Sequence, residues 1–387
     1  MVGRGILPAP DVVVLGWARS PVVPIGGAFR ALLPHDLGAP VASALLERTG
    51  ITAQALDAVV AGNALGAGGN PARMVALAAG LPERVAALTV DSQCCAGLDA
   101  VIVAVGLLAS GAAELVLAGG VEAWSRAPLR QHRPVSSSDA PVAYDRPAFA
   151  PDPARDPDLL AAASNLAARR GMGRAAQDAF AAESHVRALA ARQAMRAEIV
   201  PMAGLDHDPY ARSLSPATLG RVPVAFRSSD GGEISRVALA CKADGAAFVL
   251  LATADLARRL GVSARFAYLA GTSVGGSPEM PMLAAVPACL KALERAGTDI
   301  ADLWGAELHE AFAVQVLCLI ADLELDPALV SRGGGGLGRG HPIGASGAVS
   351  LVRLLADMDR LALRGARGLA SIAAAGGLGS AVIVERL

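Results

Sequence analysis

One pattern of strand and helix runs through this chain twice, and that repetition limits the fold more than any other feature. ELVLAGG at 114–120 parallels LASIAAAGG at 369–377, and GAAFVLLA at 245–252 parallels GSAVIVE at 379–385. In the first block, apolar runs at 11–16, 56–61, 86–90 and 114–120 read as buried strands, with helices at 35–48, 71–80 and 96–109 between them. The second block repeats this, with strands at 266–271, 305–308, 368–375 and 381–385 and helices at 283–296, 311–321 and 343–358. Alternation of this kind argues for an α/β fold, a parallel sheet with helices on both faces. Duplicated halves related by a pseudo-twofold axis set the helix at 96–109 against the helix that follows His341. Gly344, Ala345, Ser346, Gly347 and Ala348 are small enough to let those helices touch. Cys94 and His341, at the two helix starts, then face one region.

Residues 121–244 interrupt the pattern. They are rich in Pro, Arg, Asp and Ser and hold one plain helix, 174–197, with alanines on one face and Arg, Glu and Gln on the other. The expected division is a first half made of 1–120 and 245–262, an inserted loop domain at 121–244 placed to cover a ligand and make oligomer contacts, and a second half at 263–387.

Composition narrows the function classes. Of 387 residues, 53% are hydrophobic, 18% charged and only 3% aromatic, which suits thick layers of small side chains and further burial in an oligomer. No apolar run reaches the ~20 residues of a membrane span. No basic stretch followed by an apolar core opens the chain, so no secretory signal is expected. A net charge of −1 gives no basic field for nucleic acid. Five cysteines without framework spacing suit reduced thiols and a cytoplasmic location. Their spacing relative to the histidines gives no metal site.

Three stretches carry chemistry. Cys94, in VDSQCCAGLDA, sits where a strand turns into a helix, and free N–H groups there favour a thiolate. A thiolate attacks a thioester and holds the acyl group covalently. His341, in the loop GGGGLGRGHPIGASG, is placed to take the thiol proton or to hold an oxyanion. The third stretch is LHEAFA at 308–313, with His309 and Glu310; Glu310 reads as a structural hydrogen-bonding residue.

Over nearly its whole length the chain resembles the thiolase family of acyl-CoA C-acyltransferases. The resemblance rests on ARSP (18–21), HDLGA (35–39), NPAR (70–73), C-x-x-G (94–97), GGVEAWSRAP (119–128), QDAFAAES (177–184), EIVP (198–201), DGAA (244–247), HEAFA (309–313) and GHPIGASG (340–347), in that order. It implies duplicated βαβαβαββ halves in a five-layered αβαβα core, with an inserted loop domain and assembly into homodimers or homotetramers. It implies coenzyme A as substrate and product, acetyl-CoA or 3-ketoacyl-CoA as acyl source, and no permanently bound cofactor. Carried over residue by residue, Cys94 is the nucleophile, His341 the activating residue and His309 the second oxyanion element. The N–H groups of Cys94 and Ala375 form an oxyanion hole. Leu239, Ala240, Trp124 and Gly376 fall at positions expected near CoA or substrate.

The chain also departs from the pattern. Where the family has C-x-G-G-G-x-G, this sequence reads Ala373-Ala374-Ala375-Gly376-Gly377-Leu378-Gly379, so the second catalytic cysteine is replaced by Ala373. That thiol moves the proton at the α-carbon, and losing a general acid/base costs ~10²–10⁴-fold. Acylation of Cys94 needs no such group. Val237-Ala238-Leu239-Ala240 replaces an Asn-x-Ser that touches CoA, Asp91 replaces an Asn, and Cys95 replaces a Gly. Cys95, about 100° round a helix from Cys94, and Cys241 are candidates to replace the lost thiol. Cys289 and Cys318 read as packing residues. Three readings stay open: a thiolase-type acyltransferase with impaired carbon–carbon chemistry, an acyltransferase or hydrolase that passes the Cys94 acyl group to another acceptor, and a catalytically weak thioester-binding subunit that works with an accessory subunit.

Overall fold

The computed structural model describes residues 11–66 and 68–387, so the first ten residues of the expected first half lie outside the described residues. The principal strands are β1 (Val12–Arg19), β2 (Ala58–Gly62), β3 (Ala86–Val90), β4 (Leu115–Ala123), β5 (Ala243–Thr253), β6 (Phe266–Gly275), β7 (Leu303–Leu308), β8 (Arg367–Ala374) and β9 (Leu378–Arg386). They lie in the order β7-β8-β9-β6-β1-β5-β4-β2-β3, and the short strand Val23–Pro24 beside β5 makes ten. Each half carries the same internal order. β3-β2-β4-β5-β1 in the first half matches β7-β8-β9-β6 in the second, where a single parallel bridge from Val330 to Ala306 stands in for the missing outer strand. The halves meet where Val13 and Val14 pair with Ala267 and Phe266.

The sheet is mixed, not parallel as the alternation suggests. Only β3-β2-β4 and β7-β8 are parallel; every joint between them is antiparallel. The reason lies in the connections. β8 returns to β9 through Ala375-Gly376-Gly377, whose glycines take φ +79° and +80°, a tight hairpin that leaves no room for a crossover helix.

The principal helices are α1 (Pro34–Thr49), α2 (Pro71–Ala78), α3 (Ala96–Ala109), α4 (Leu159–Arg170), α5 (Arg174–Met195), α6 (Ala285–Ala296), α7 (Ala313–Asp322) and α8 (Ser346–Leu361). Side-chain alternation along the strands sorts them into five layers. Val116 and Val249 face inward onto α3 and α8, while Leu117 and Phe248 face outward onto α1 and α2. In the second half Val382 faces α8, and Ile383 faces α6 and α7. Two glycines show how close the central helices come. A Cβ on Gly347 would stand 2.8 Å from Leu98 N, and one on Gly97 3.0 Å from Ala348 N. No described helix is long and apolar enough to cross a membrane.

β4 runs to Ala123 and β5 begins at Ala243, paired through Asp244 and Ala123, so the margins of the 121–244 stretch belong to the sheet. Between them lie two small hairpins and two long helices. α5 ends at Met195, close to the expected 197, while α4 is an additional helix. Its signals are local: the Asp158 carboxylate caps Leu160 N and Ala161 N, and Gly171 closes the helix at φ +62°. A buried ion network ties this stretch to both halves. The Glu198 carboxylate accepts from Arg19 of β1 at 2.6 Å and from Arg353 of α8.

Candidate active site

Cys94 is set by a compressed turn. After β3 the chain makes one 3₁₀ turn, Gln93–Cys95, before α3 begins. Gln93 takes φ +58°, a left-handed conformation that costs an ordinary residue about 1–2 kcal/mol. The Asp91 carboxylate accepts the Gln93 N–H at 3.1 Å and so braces that turn. His341 is set from the other half. Gly340, at φ +115°, turns the chain, and the His341 N–H donates to Cys241 O at 2.8 Å. Cys94 Sγ then stands 3.2 Å from His341 Nε2.

The tautomer of His341 follows from its second partner. Ser346 Oγ donates to Pro342 O at 3.0 Å, so toward His341 it acts as an acceptor, and Nδ1 at 2.6 Å is the donor. Nε2 therefore presents its lone pair to the thiol. Ser346 enters the sequence reading only as a small residue. Its signal is the spacing, one helical turn past the histidine at a helix start.

Burial decides the charge state. It pushes the Cys94 thiol up to about 12, although the N–H groups of Ala375 and of Cys94 itself pull the other way. The expectation that the helix start favours thiolate is thus outweighed by desolvation. Burial holds His341 down to about 4. At neutral pH the pair is an uncharged thiol beside an uncharged imidazole.

His309 directly follows β7, its N–H bonded to Ser371 O at 2.9 Å. Its ring lies 4.4 Å from that of His341, centre to centre, and its buried Nε2 has no partner among the described residues. Burial, reinforced by His341 and Arg339, holds it well below the usual imidazole range. The Glu310 carboxylate accepts from Ser184 Oγ at 2.6 Å and Leu337 N at 3.2 Å, stapling α5 to the glycine-rich loop. Glu122, which sequence reasoning left inside a motif, does similar work. It accepts from Ala64 N and Gly344 N at 3.0 Å each and locks the His341 loop to the loop after β2.

These groups open onto a cavity of about 450 Å³. Cys94, His341, Ala373 and Ala375 line its inner side; Trp124, Leu239 and Ala240 line its outer side, with Leu159 and Leu160 of α4 closing over it. Lys242 Nζ sits 4.8 Å above the Trp124 ring at the rim. Two expected positions are not in this wall. Gly376 lies in the β8–β9 hairpin against Phe149 O, and His309 stands behind His341. Of the spare thiols, Cys95 points away to Ile372 O, Cys289 and Cys318 are packed in the core, and Cys241 alone borders the cavity.

Comparison with known proteins decides the family. Residues 12–255 match the family model for the thiolase N-terminal domain, and residues 263–386 match that for the thiolase C-terminal domain. The chain belongs to the thiolase family. This thiolase is 35% identical to an acetyl-CoA acetyltransferase of Rhizobium meliloti, covering 98% of this chain and 99% of that protein. It is 36% identical to a probable acetyl-CoA acetyltransferase of Escherichia coli, covering 97% and 99%. Its fold matches the crystal structure of the Bacillus anthracis acetyl-CoA acetyltransferase with a TM-score of 0.90, 30% identity, and coverage of 98% and 99%. The thiolase fold thus holds over the matched residues, with Ala373 facing the same cavity as Cys94 and His341.

Proposed function

We propose that this thiolase-family acyltransferase takes an acyl group from acetyl-CoA or a 3-ketoacyl-CoA onto Cys94. The observation that carries this reading is the 3.2 Å contact between Cys94 Sγ and the unprotonated Nε2 of His341, beside the Ala375 N–H. Cys94 sulfur attacks the thioester carbonyl while its proton passes to Nε2. The oxyanion is met by the N–H groups of Cys94 and Ala375. His309, with its free Nε2, orients a water or donor at a second oxyanion position. The tetrahedral intermediate collapses, the C–S bond to coenzyme A breaks, and the sulfur leaves with the proton from His341. The products are acyl-Cys94 and free coenzyme A. Residues 121–244 cover the cavity, and the edge strand β3, with Leu88 exposed, suits pairing of copies into a homodimer or homotetramer.

Condensation or cleavage of a carbon–carbon bond needs a further base or acid at the α-carbon. Ala373 supplies none, and Cys241 at the cavity rim is pushed up to about 11 by burial. Ala373 therefore favours a second reading, in which acyl-Cys94 passes its group to water or to an acceptor that needs no carbanion. Two measurements test these readings. Intact mass after incubation with acetyl-CoA should show an acetyl adduct that Cys94→Ala abolishes; no adduct would leave only a thioester-binding subunit. Thiolysis of acetoacetyl-CoA should be slow and rise ~10²-fold or more in Ala373→Cys. Fast thiolysis by the wild type would overturn the weight placed on Ala373.

A further inference from the structure

The turn that carries Cys94 contains the strained Gln93, and the Asp91 carboxylate that braces it is exposed. A second carboxylate serves the same turn from inside the protein. Asp99 stands in the first turn of α3 and is only 7% exposed. It accepts from Ser92 Oγ, just before the 3₁₀ turn, and from Ser380 Oγ of β9 at 2.5 Å. An acid at a helix start is commonly held by the free N–H groups there. Asp99 turns its oxygens to the two serines instead. Burial raises its carboxyl above the ordinary range, and the hydroxyls of Ser380, Ser92 and Ser273 pull it back; among the described residues no cation does. A buried acid held by hydroxyls alone is costly to keep, so packing by itself does not account for it.

The two serines belong to different halves of the molecule. Ser92 O accepts the Cys95 N–H at 3.2 Å and so closes the turn around Cys94. Ser380 pairs with Ile372 across β8 and β9, and Cys95 Sγ meets Ile372 O on that same rung at 3.5 Å. Three residues past Ile372 comes Ala375, whose N–H faces the Cys94 sulfur. Asp99 therefore spans the joint between the turn that sets the sulfur and the hairpin that sets the N–H.

We propose that Asp99 is a positioning residue: by tying Ser92 to Ser380 it holds the Cys94 sulfur in register with the Ala375 N–H. It does not line the cavity, and it acts through the two elements that it joins. An oxyanion donor serves only where the thioester oxygen arrives, and a displacement of about 1 Å costs ~10²-fold. This rests on the reading that Cys94 takes the acyl group.

The test compares two reactions of Cys94 in the full-length protein, each followed by intact mass and peptide mapping. Acetylation by acetyl-CoA uses the thiol, His341 and the oxyanion donor; alkylation by iodoacetamide develops no oxyanion and uses only the first two. Asp99→Ala should slow acetylation about tenfold or more and leave alkylation at the wild-type rate. A residue that merely keeps the turn folded would move both reactions. Ser380→Ala, which cuts only the link to β9, takes the place of Asp99→Ala if that variant does not fold, and the same split is expected. Acetylation at the wild-type rate in the folded variant, an equal fall of both reactions, or failure of both variants to fold overturns the positioning role, while the wild-type adduct leaves Cys94 acylation intact. Absence of an acetyl adduct in the wild type overturns both.

Discussion

Two 3₁₀ turns open the two central helices of this thiolase, and they are copies of one another that have gone separate ways. Gln93–Cys95 leads into α3, and Ile343–Ala345 leads into α8. The middle residue is Cys94 in one and Gly344 in the other, and three residues further each helix carries a glycine, Gly97 and Gly347. Those two glycines make reciprocal contacts, Gly97 against Ala348 and Gly347 against Leu98. The scaffold is thus kept twice and the cysteine once. At Gly344 a side chain has no place: a Cβ would stand 2.6 Å from Asn63 Cα and 2.8 Å from the Glu122 carboxylate that grips the loop. The second turn serves packing, and the residue of that half that meets Cys94, His341, stands three residues upstream. Duplication supplies a matched pair of helix starts; divergence places a thiol on one and leaves the other without a side chain.

The largest break in this comparison is expected at His341. His341→Ala should slow acylation of Cys94 by ~10²–10⁴-fold in single-turnover mass measurements. The wild-type rate should be flat across neutral pH, because the imidazole is already unprotonated there. It should fall as the pH drops through about 4, where His341 gains a proton and loses its lone pair. A fall near the ordinary imidazole value instead would show that burial does not govern this histidine. Next comes the helix contact. Gly347→Ala should destabilise the fold by ~1–3 kcal/mol in denaturant titration, because overpacked backbone has no flexible neighbour to move. An unchanged midpoint would mean that the two helices do not meet as closely as the glycines indicate. Ser346→Ala frees Nδ1 and leaves the tautomer unset. About a tenfold loss of acylation rate is expected, from one hydrogen bond of ~1.5 kcal/mol. The smallest effect sharpens the contrast by its sign. Gly106 lies on the exposed side of α3, with nothing within 4 Å of a Cβ there, so Gly106→Ala should stabilise by about 0.5–1 kcal/mol. The two glycine variants together separate a packing glycine from one that merely lowers helix propensity.

Several features are legible in the residues alone. The duplication is written in residues 114–120 and 369–377, and strand alternation places the layers, because a buried strand must show its period locally. Cys94, His341 and His309 stand out because their motifs are short and local. Strand direction is not legible in this way: whether β8 meets a parallel or an antiparallel neighbour depends on the Gly376-Gly377 hairpin and on a long return from β4 to β5. Helix α4 is written in its caps, Asp158 and Gly171, but is hidden by the polar composition around it.

By itself the sequence determined the elements, their repetition, and which few side chains are able to do chemistry. These depend on residue type and near neighbours. The tertiary structure decided what those side chains are at rest. Only burial from both halves turns Cys94 into a neutral thiol and His341 into a neutral acceptor, because desolvation is set by everything packed around a group. Only packing brings Ser346 to Nδ1 and sets Ala373 in the same wall as Cys94.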